Sequence, residues 1–262
     1  MLVLRCAVIS SLAFVVSGCI NSTTLVKVKP DGSGTIEQTM LANLAAVKGM
    51  MAGMGGTGQI KSSGGVLDEA EFKRTAERMG VRPVSLTPMK QAGFEGAKAV
   101  FAFDDISKIR LDQDPPVGGG SSSGSKSPIA FALNRQGGAT TLTISVDEKA
   151  AASATEKVQE APSIEQVDPA MMQMIKTMFA GFRIAIDLEV DGKIIKTNAD
   201  YVNGSRITFL ELDADSIFQD EAKLKGLQTK IRPGVSLAEL RPFLKEIKGV
   251  KINHPTVTIE YR

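Results

Sequence analysis

Phe182-Arg183-Ile184-Ala185-Ile186-Asp187-Leu188-Glu189-Val190 alternates apolar and polar side chains almost without a break. A period of two belongs to a β-strand with one buried face, because successive side chains leave opposite sides of the pleat. The pattern recurs. Leu142, Ile144 and Val146 alternate with Thr141, Thr143 and Ser145; Val257, Ile259 and Tyr261 alternate with Thr256, Thr258 and Glu260; Phe101 and Phe103 share one side of residues 97–103. Turn chemistry separates these runs. Asp31-Gly32-Ser33-Gly34 lies between 25–29 and 35–41, Gln136-Gly137-Gly138 between 129–133 and 140–146, Asp191-Gly192 follows the run at 182–190, and Asn203-Gly204 precedes another at 207. Asn-Gly, Asp-Gly and Gly-Gly supply the positive φ of tight turns, so the chain reads as antiparallel hairpins.

Helices are fewer. Asp68, with Glu71 three residues on, opens a stretch carrying Phe72, Ala76 and Met79 that Gly80 closes, a capped amphipathic helix. Asp168-Pro169 opens a second through Met171, Met172, Met174, Ile175, Met178 and Phe179 to Gly181. Residues 42–54 form a third candidate, apolar nearly all round. Ser236 and Glu239 cap a fourth, which Pro242 should break or kink. The fold expected is therefore α+β: an antiparallel sheet of hairpins with a few covering amphipathic helices. Two polar, small-residue stretches, 112–127 and 148–166, read as flexible loops inside a single domain.

The 43% hydrophobic content suits a packed core. Net charge is +2 with cations scattered, Trp is absent, and Tyr201 and Tyr261 are the only tyrosines. Nucleic-acid binding needs a basic face and stacking aromatics, so it is disfavoured. Gly53-Met54-Gly55-Gly56-Thr57-Gly58 spells a dinucleotide fingerprint but follows a helical stretch where a strand is required. Gly120-Ser121-Ser122-Ser123-Gly124 spells a nucleophile elbow but lies in a Gly/Ser run between prolines. His254 is the one histidine, in a turn before the last strand, and reads as solvated. Asp104-Asp105 and Asp213-x-Asp215 follow strands and precede short helical runs, as N-caps do. No catalytic, cofactor-binding or metal-ligating residue is assigned, and an enzyme is not expected.

At the N-terminus one cation, Arg5, precedes an apolar run that ends in Val16-Ser17-Gly18-Cys19. A positive start, a short apolar middle and small residues at the cut read as a signal peptide over 1–18; a membrane span needs about 20 mostly apolar residues. Val-Ser-Gly-Cys resembles the lipobox of bacterial lipoproteins. That resemblance implies cleavage between Gly18 and Cys19 and acylation of Cys19, with a short tether at 19–23 and the domain at 24–262. Two or more acyl chains hold a protein stably to a bilayer. Cys6 is lost with the signal and Cys19 is acylated, so no disulfide remains possible. Ile20 in place of Asp after the cysteine favours the periplasmic face of the outer membrane over the plasma membrane, by enteric-type sorting.

The order of elements resembles the LppM-like lipoproteins. The likeness rests on a lipobox running into a strand and hairpin, a helix, then Gly96-Ala97-Lys98-Ala99-Val100-Phe101-Ala102-Phe103-Asp104-Asp105-Ile106-Ser107-Lys108 and the hairpin from Phe131 to Leu142. It covers 19–146 and part of 182–213, implies a lipid-binding-like α/β fold, and is left behind by the Met-rich helix and the tail at 214–262. Seven of the eleven methionines fall in two segments: Met50, Met51 and Met54, then Met171, Met172, Met174 and Met178. Met adapts to variable apolar shapes. Met50, Met51, Met54, Met171, Met174 and Met178 are therefore the expected border of an apolar groove for an acyl chain, with sheet-covering core as the plainer alternative. The function expected is a non-enzymatic envelope binding module, for a lipid or another apolar ligand. The alternative is a structural or assembly lipoprotein that binds an envelope protein and has no ligand pocket.

Overall fold

The computed structural model describes residues 20–43, 69–91, 93–111, 129–147, 169–228, 230 and 237–262. Twelve strands and five helices are seen among them, an α+β fold. In chain order these are β1 (Ile20–Val28), β2 (Gly34–Ala42), α1 (Glu69–Met79), β3 (Arg82–Gln91), β4 (Phe94–Phe103), β5 (Ile129–Gln136), β6 (Ala139–Val146), α2 (Pro169–Met178), β7 (Arg183–Val190), β8 (Ile194–Thr197), β9 (Val202–Asn203), β10 (Arg206–Asp213), α3 (Ala214–Ile217), α4 (Glu221–Gln228), α5 (Leu237–Leu244), β11 (Val250–Ile252) and β12 (Thr256–Tyr261).

The strands form two sheets. The larger has the order β11-β10-β7-β1-β2-β4-β3, with β9 paired to β10; the smaller has the order β5-β6-β12-β8. Val26, Val28, Ile36, Phe101, Phe103, Leu188, Val190 and Ile207 of the first share one core with Ile129, Phe131, Leu142, Ile144, Val257, Ile259 and Tyr261 of the second. The two sheets thus stack face to face. From α1, Phe72, Ala76 and Met79 enter the same core, and the Phe72 and Phe101 ring centroids are 4.9 Å apart.

Several hairpins are as the sequence implies. β5 and β6 pair from Ile129↔Val146 to Gln136↔Ala139 around Gly137 and Gly138, both with positive φ, which is the geometry of a type I′ turn. Gly204-Ser205 joins β9 to β10, one residue on from the expected Asn203-Gly204, since Asn203 already pairs with Arg206. Asp105 caps a single 3-10 turn, Ile106–Lys108, and Asp213 caps α3, accepting from the Ser107 and Ser216 amides respectively.

Other expectations are corrected. The large sheet is not purely antiparallel, since β1 pairs in parallel with β7, Asn21↔Arg183 to Val28↔Val190. A second sheet, rather than helices alone, covers its inner face: alternation reports that a face is buried and not what buries it. Asp191-Gly192 is no hairpin. β8 leaves β7 for the other sheet and pairs with β12, and the corner is held by Asp191 N–H to Val28 O at 2.8 Å and Lys193 N–H to Arg262 O at 2.8 Å. Residues 20–23, expected as tether, are the first half of β1, with Ile20 buried. Ala42, expected to open a helix, closes β2; the rest of that candidate lies outside the described residues, as do 112–127 and 148–166. α5 runs through Pro242 and ends two residues later.

The corner and the first turn meet at Tyr261. Its side chain is fully buried, and its hydroxyl donates to Lys29 O at 3.1 Å, joining the last strand to the end of the first. Burial pushes the phenol up to about 12, from an ordinary value near 10. The neutral phenol is the folded form, so the stability it contributes is complete below pH ~10 and lost as pH rises toward about 12. Tyr261→Phe should cost about 1–2 kcal/mol in urea unfolding at neutral pH, and should remove part of the alkaline loss of stability. A variant matching the wild type in both measurements would contradict this link.

Candidate functional site at the start of the large sheet

The residues singled out from sequence fare unequally. Gly18, Cys19, Met50, Met51 and Met54 lie outside the described residues. The backbones of Met171, Met174 and Met178 lie in α2, but their side chains are not described; Met172 is half-buried. The expected groove between the two methionine groups therefore lies outside the described residues.

The structure does gather another set. Ile20, which opens β1, pairs with Ala42, and Ala42 pairs with Glu95 at the start of β4. Asn21 pairs with Arg183 at the start of β7, and Arg183 pairs with Asp213 at the end of β10. One end of the sheet thus carries the beginnings of β1, β4 and β7, and α2 and α3 join the chain there. Four phenylalanines cluster at that end. The Phe179 and Phe182 centroids lie 5.9 Å apart, edge to face, and those of Phe179 and Phe218 lie 6.2 Å apart. Phe94 packs on Gly181, where an added Cβ would come within 2.7 Å of the Phe94 ring. All four rings are half-buried.

Backbone bonds fix the cluster. Ala214 N–H donates to Phe182 O at 3.0 Å. Gly181 N–H donates to both carboxylate oxygens of Asp215, at 3.1 and 3.2 Å. Asp213 accepts from the Ser216 amide as the α3 cap. Both carboxylates beside the phenylalanines are therefore engaged by backbone donors.

The outer face of the large sheet carries ion-pair ladders across strands. Glu211 lies between Lys251 at 2.6 Å and Arg183 at 2.7 Å. Burial pushes its carboxyl up, yet the hydrogen bonds from Lys251 and Arg183 outweigh that and hold it below its ordinary value. Glu37 sits between Lys27 at 2.5 Å and Lys98 at 2.6 Å, and their hydrogen bonds hold it low as well. Both carboxylates favour the folded state above the ordinary glutamate range, and that contribution is lost as pH falls through their lowered values.

His254 is not the purely solvated residue expected. Nε2 lies 3.4 Å from Asp200 and Nδ1 lies 3.3 Å from Arg241, while Lys245 reaches Asp200 at 2.7 Å. Buried Asn253 accepts from Asp200 N–H and donates to Thr208 O, each at 2.7 Å. This cluster bolts α5 to the loop before β9, and its members are too far apart in sequence to be paired by spacing. Among the described residues no group of three or more His, Cys, Asp or Glu side chains is placed to hold a metal ion. At the far end of the sheet Asp31, Asp104, Asp105, Lys108 and Arg135 line a wide, shallow, polar depression of about 570 Å³. Asp31 and Asp105 are held low there by hydrogen bonds from Ser33 and Ser107.

No family model matches the sequence, and no curated protein does. Among solved structures, the NMR structure of the folded domain of LppM from Mycobacterium tuberculosis aligns over 94% of this chain and 91% of that one, at 14% identity and a TM-score of 0.35. A superposition so loose supports no functional argument.

Gly181 is the tightest point of the site. Its φ of 77° disfavours any side chain, and its Cα faces the Phe94 ring. Gly181→Ala should cost about 1–3 kcal/mol through backbone strain and the displaced ring, read as a lower urea midpoint. An unchanged midpoint would show that Phe94 and the 179–182 turn do not depend on each other.

Proposed function

We propose that this chain is a bacterial lipoprotein acylated on Cys19 and serves as a non-enzymatic binding module of the cell envelope, with lipid or another apolar ligand as its ligand class. The observation that carries the reading is Val16-Ser17-Gly18-Cys19 standing directly before a strand that starts at Ile20. Among the described residues no helix is long and apolar enough to cross a membrane, and the proposed anchor is covalent. The sheet then begins one residue from the lipid, which holds the domain at the bilayer surface. The periplasmic face of the outer membrane remains the proposed location.

Among the described residues the two sheets share one core of buried side chains, and the half-buried phenylalanines at the anchored end offer an apolar ligand its place. The shared core of the two sheets also suits a second reading, a structural or assembly lipoprotein that binds a protein partner and has no ligand pocket.

Cys19→Ser should leave the precursor uncut or shift the protein out of the membrane fraction. A variant that fractionates and migrates like the wild type would overturn the lipoprotein reading. Native mass spectrometry of wild-type protein released in mild detergent separates the two roles. Lipid retained beyond the covalent anchor supports the binding module, and bare protein overturns it in favour of the assembly role.

A further inference from the structure

We infer that the anchored end of the large sheet is a bilayer-contact surface, with Phe94, Phe179, Phe182 and Phe218 set against phospholipid and α2 lying beside them. The inference rests on the proposed acylation of Cys19 and adds a second, non-covalent contact to it.

Consecutive Cα atoms are about 3.8 Å apart, so acyl chains on Cys19 would leave the protein within one residue of Ile20. Ile20 is buried in the sheet and pairs with Ala42. With no leash between anchor and fold, whatever surrounds Ile20 meets the headgroups. Beside it in the sheet lie Phe182, immediately before β7, and, one strand further across β2, Phe94 at the start of β4.

Ten phenylalanines lie among the described residues. Phe72, Phe101, Phe103, Phe131 and Phe209 are buried at 8% exposure or less. Of the other five, four gather at this one end, and Phe243 is carried by α5 with Lys230 over its ring. An aromatic patch left partly wet costs free energy in water and marks an interaction surface. Phe side chains suit the boundary between headgroups and acyl chains.

The two aspartates beside the cluster, Asp213 and Asp215, accept from the backbone N–H groups of Ser216 and Gly181, and Asp215 is exposed at the rim of the rings. The helix leading into the cluster, Pro169-Ala170-Met171-Met172-Gln173-Met174-Ile175-Lys176-Thr177-Met178, carries a single charge, Lys176. The opposite end is of the other character. The turn after β1, roughly 27 Å away at about 3.3 Å per residue, borders Asp31, Asp104, Asp105, Lys108 and Arg135. The anchored end thus sets four phenylalanines among charges that are already paired, Arg183 with Glu211 at 2.7 Å and Lys90 with Glu95 at 3.1 Å, while the far end borders the charged depression.

The test uses the full-length, natively processed protein in vesicles of phosphatidylethanolamine and phosphatidylglycerol. With Cys6 removed and Cys19 acylated, an introduced cysteine is the only free thiol. Phe218→Cys and Gln136→Cys each receive a nitroxide, and relaxation is read with oxygen and with a water-soluble nickel complex. Loss of nickel access at 218, with full nickel access at 136 and both proteins sedimenting with the vesicles, is the result expected. Equal nickel access at both positions in sedimenting protein overturns the inference and leaves the anchor standing. Failure to sediment overturns both. Should Phe218→Cys not fold, the unsubstituted protein is irradiated in vesicles holding a diazirine-acyl phospholipid. Crosslinks to peptides containing 179–182 and 218 support the inference; crosslinks confined to the N-terminal peptide overturn it.

Discussion

β1 is the constraint on which the rest depends. It pairs along its whole length with β2 on one side and, from Asn21 onward, with β7 on the other. Removing it would divide the large sheet into β2-β4-β3 and β7-β10-β11. Its inner side chains Val26 and Val28 are at the centre of the shared core. Its last carbonyls reach the second sheet: Val28 O accepts from Asp191 at the corner, and Lys29 O accepts from the Tyr261 hydroxyl. One strand therefore aligns the halves of one sheet and fastens the other. The parallel partner β7 lies more than 150 residues downstream, and a pairing of that separation carries a loop-closure cost that the core must offset.

From this follows the polarity of the molecule. A strand keeps its two ends far apart, and β1 has the proposed anchor at one and a tight turn at the other. Features near Ile20 face the bilayer if Cys19 is acylated; features near Asp31 face away. The phenylalanine cluster and the ionic depression fall on opposite sides of that division. The ladders of Glu37 and Glu211 run across strands between these ends and tie the outer face together with paired charges.

Much of this was legible in the sequence. Alternation marks β6, β7 and β12, the glycine pair marks the β5–β6 turn, and the aspartates before Ile106 and Ala214 mark their caps. These are local signals, each set by a few neighbouring residues. What was not legible is non-local. Alternation in β7 does not say that its neighbour is β1 or that the pair is parallel. Asp191-Gly192 looks like a hairpin until its carbonyl partners are known. β3 hides because Pro83 and Pro88 argue against a strand, though both are compatible with the sheet edge it occupies. Ile20 to Thr23 look like a leash because polar Asn21, Ser22 and Thr23 dominate. Phe94, Phe179, Phe182 and Phe218 span 125 positions and each looks like ordinary core; their local signal is Phe179 and Phe182 straddling Gly181.

The claim that the fold begins directly at residue 20 is tested most directly by Thr23→Pro. In a leash the substitution is silent. In a strand paired on both sides it removes a ladder donor and crowds the neighbouring backbone. Urea unfolding of the variant should show a loss of about 3 kcal/mol or more. A midpoint equal to that of the wild type would mean that residues 20–23 are tether, that the sheet starts beyond them, and that the anchored end stands off the membrane.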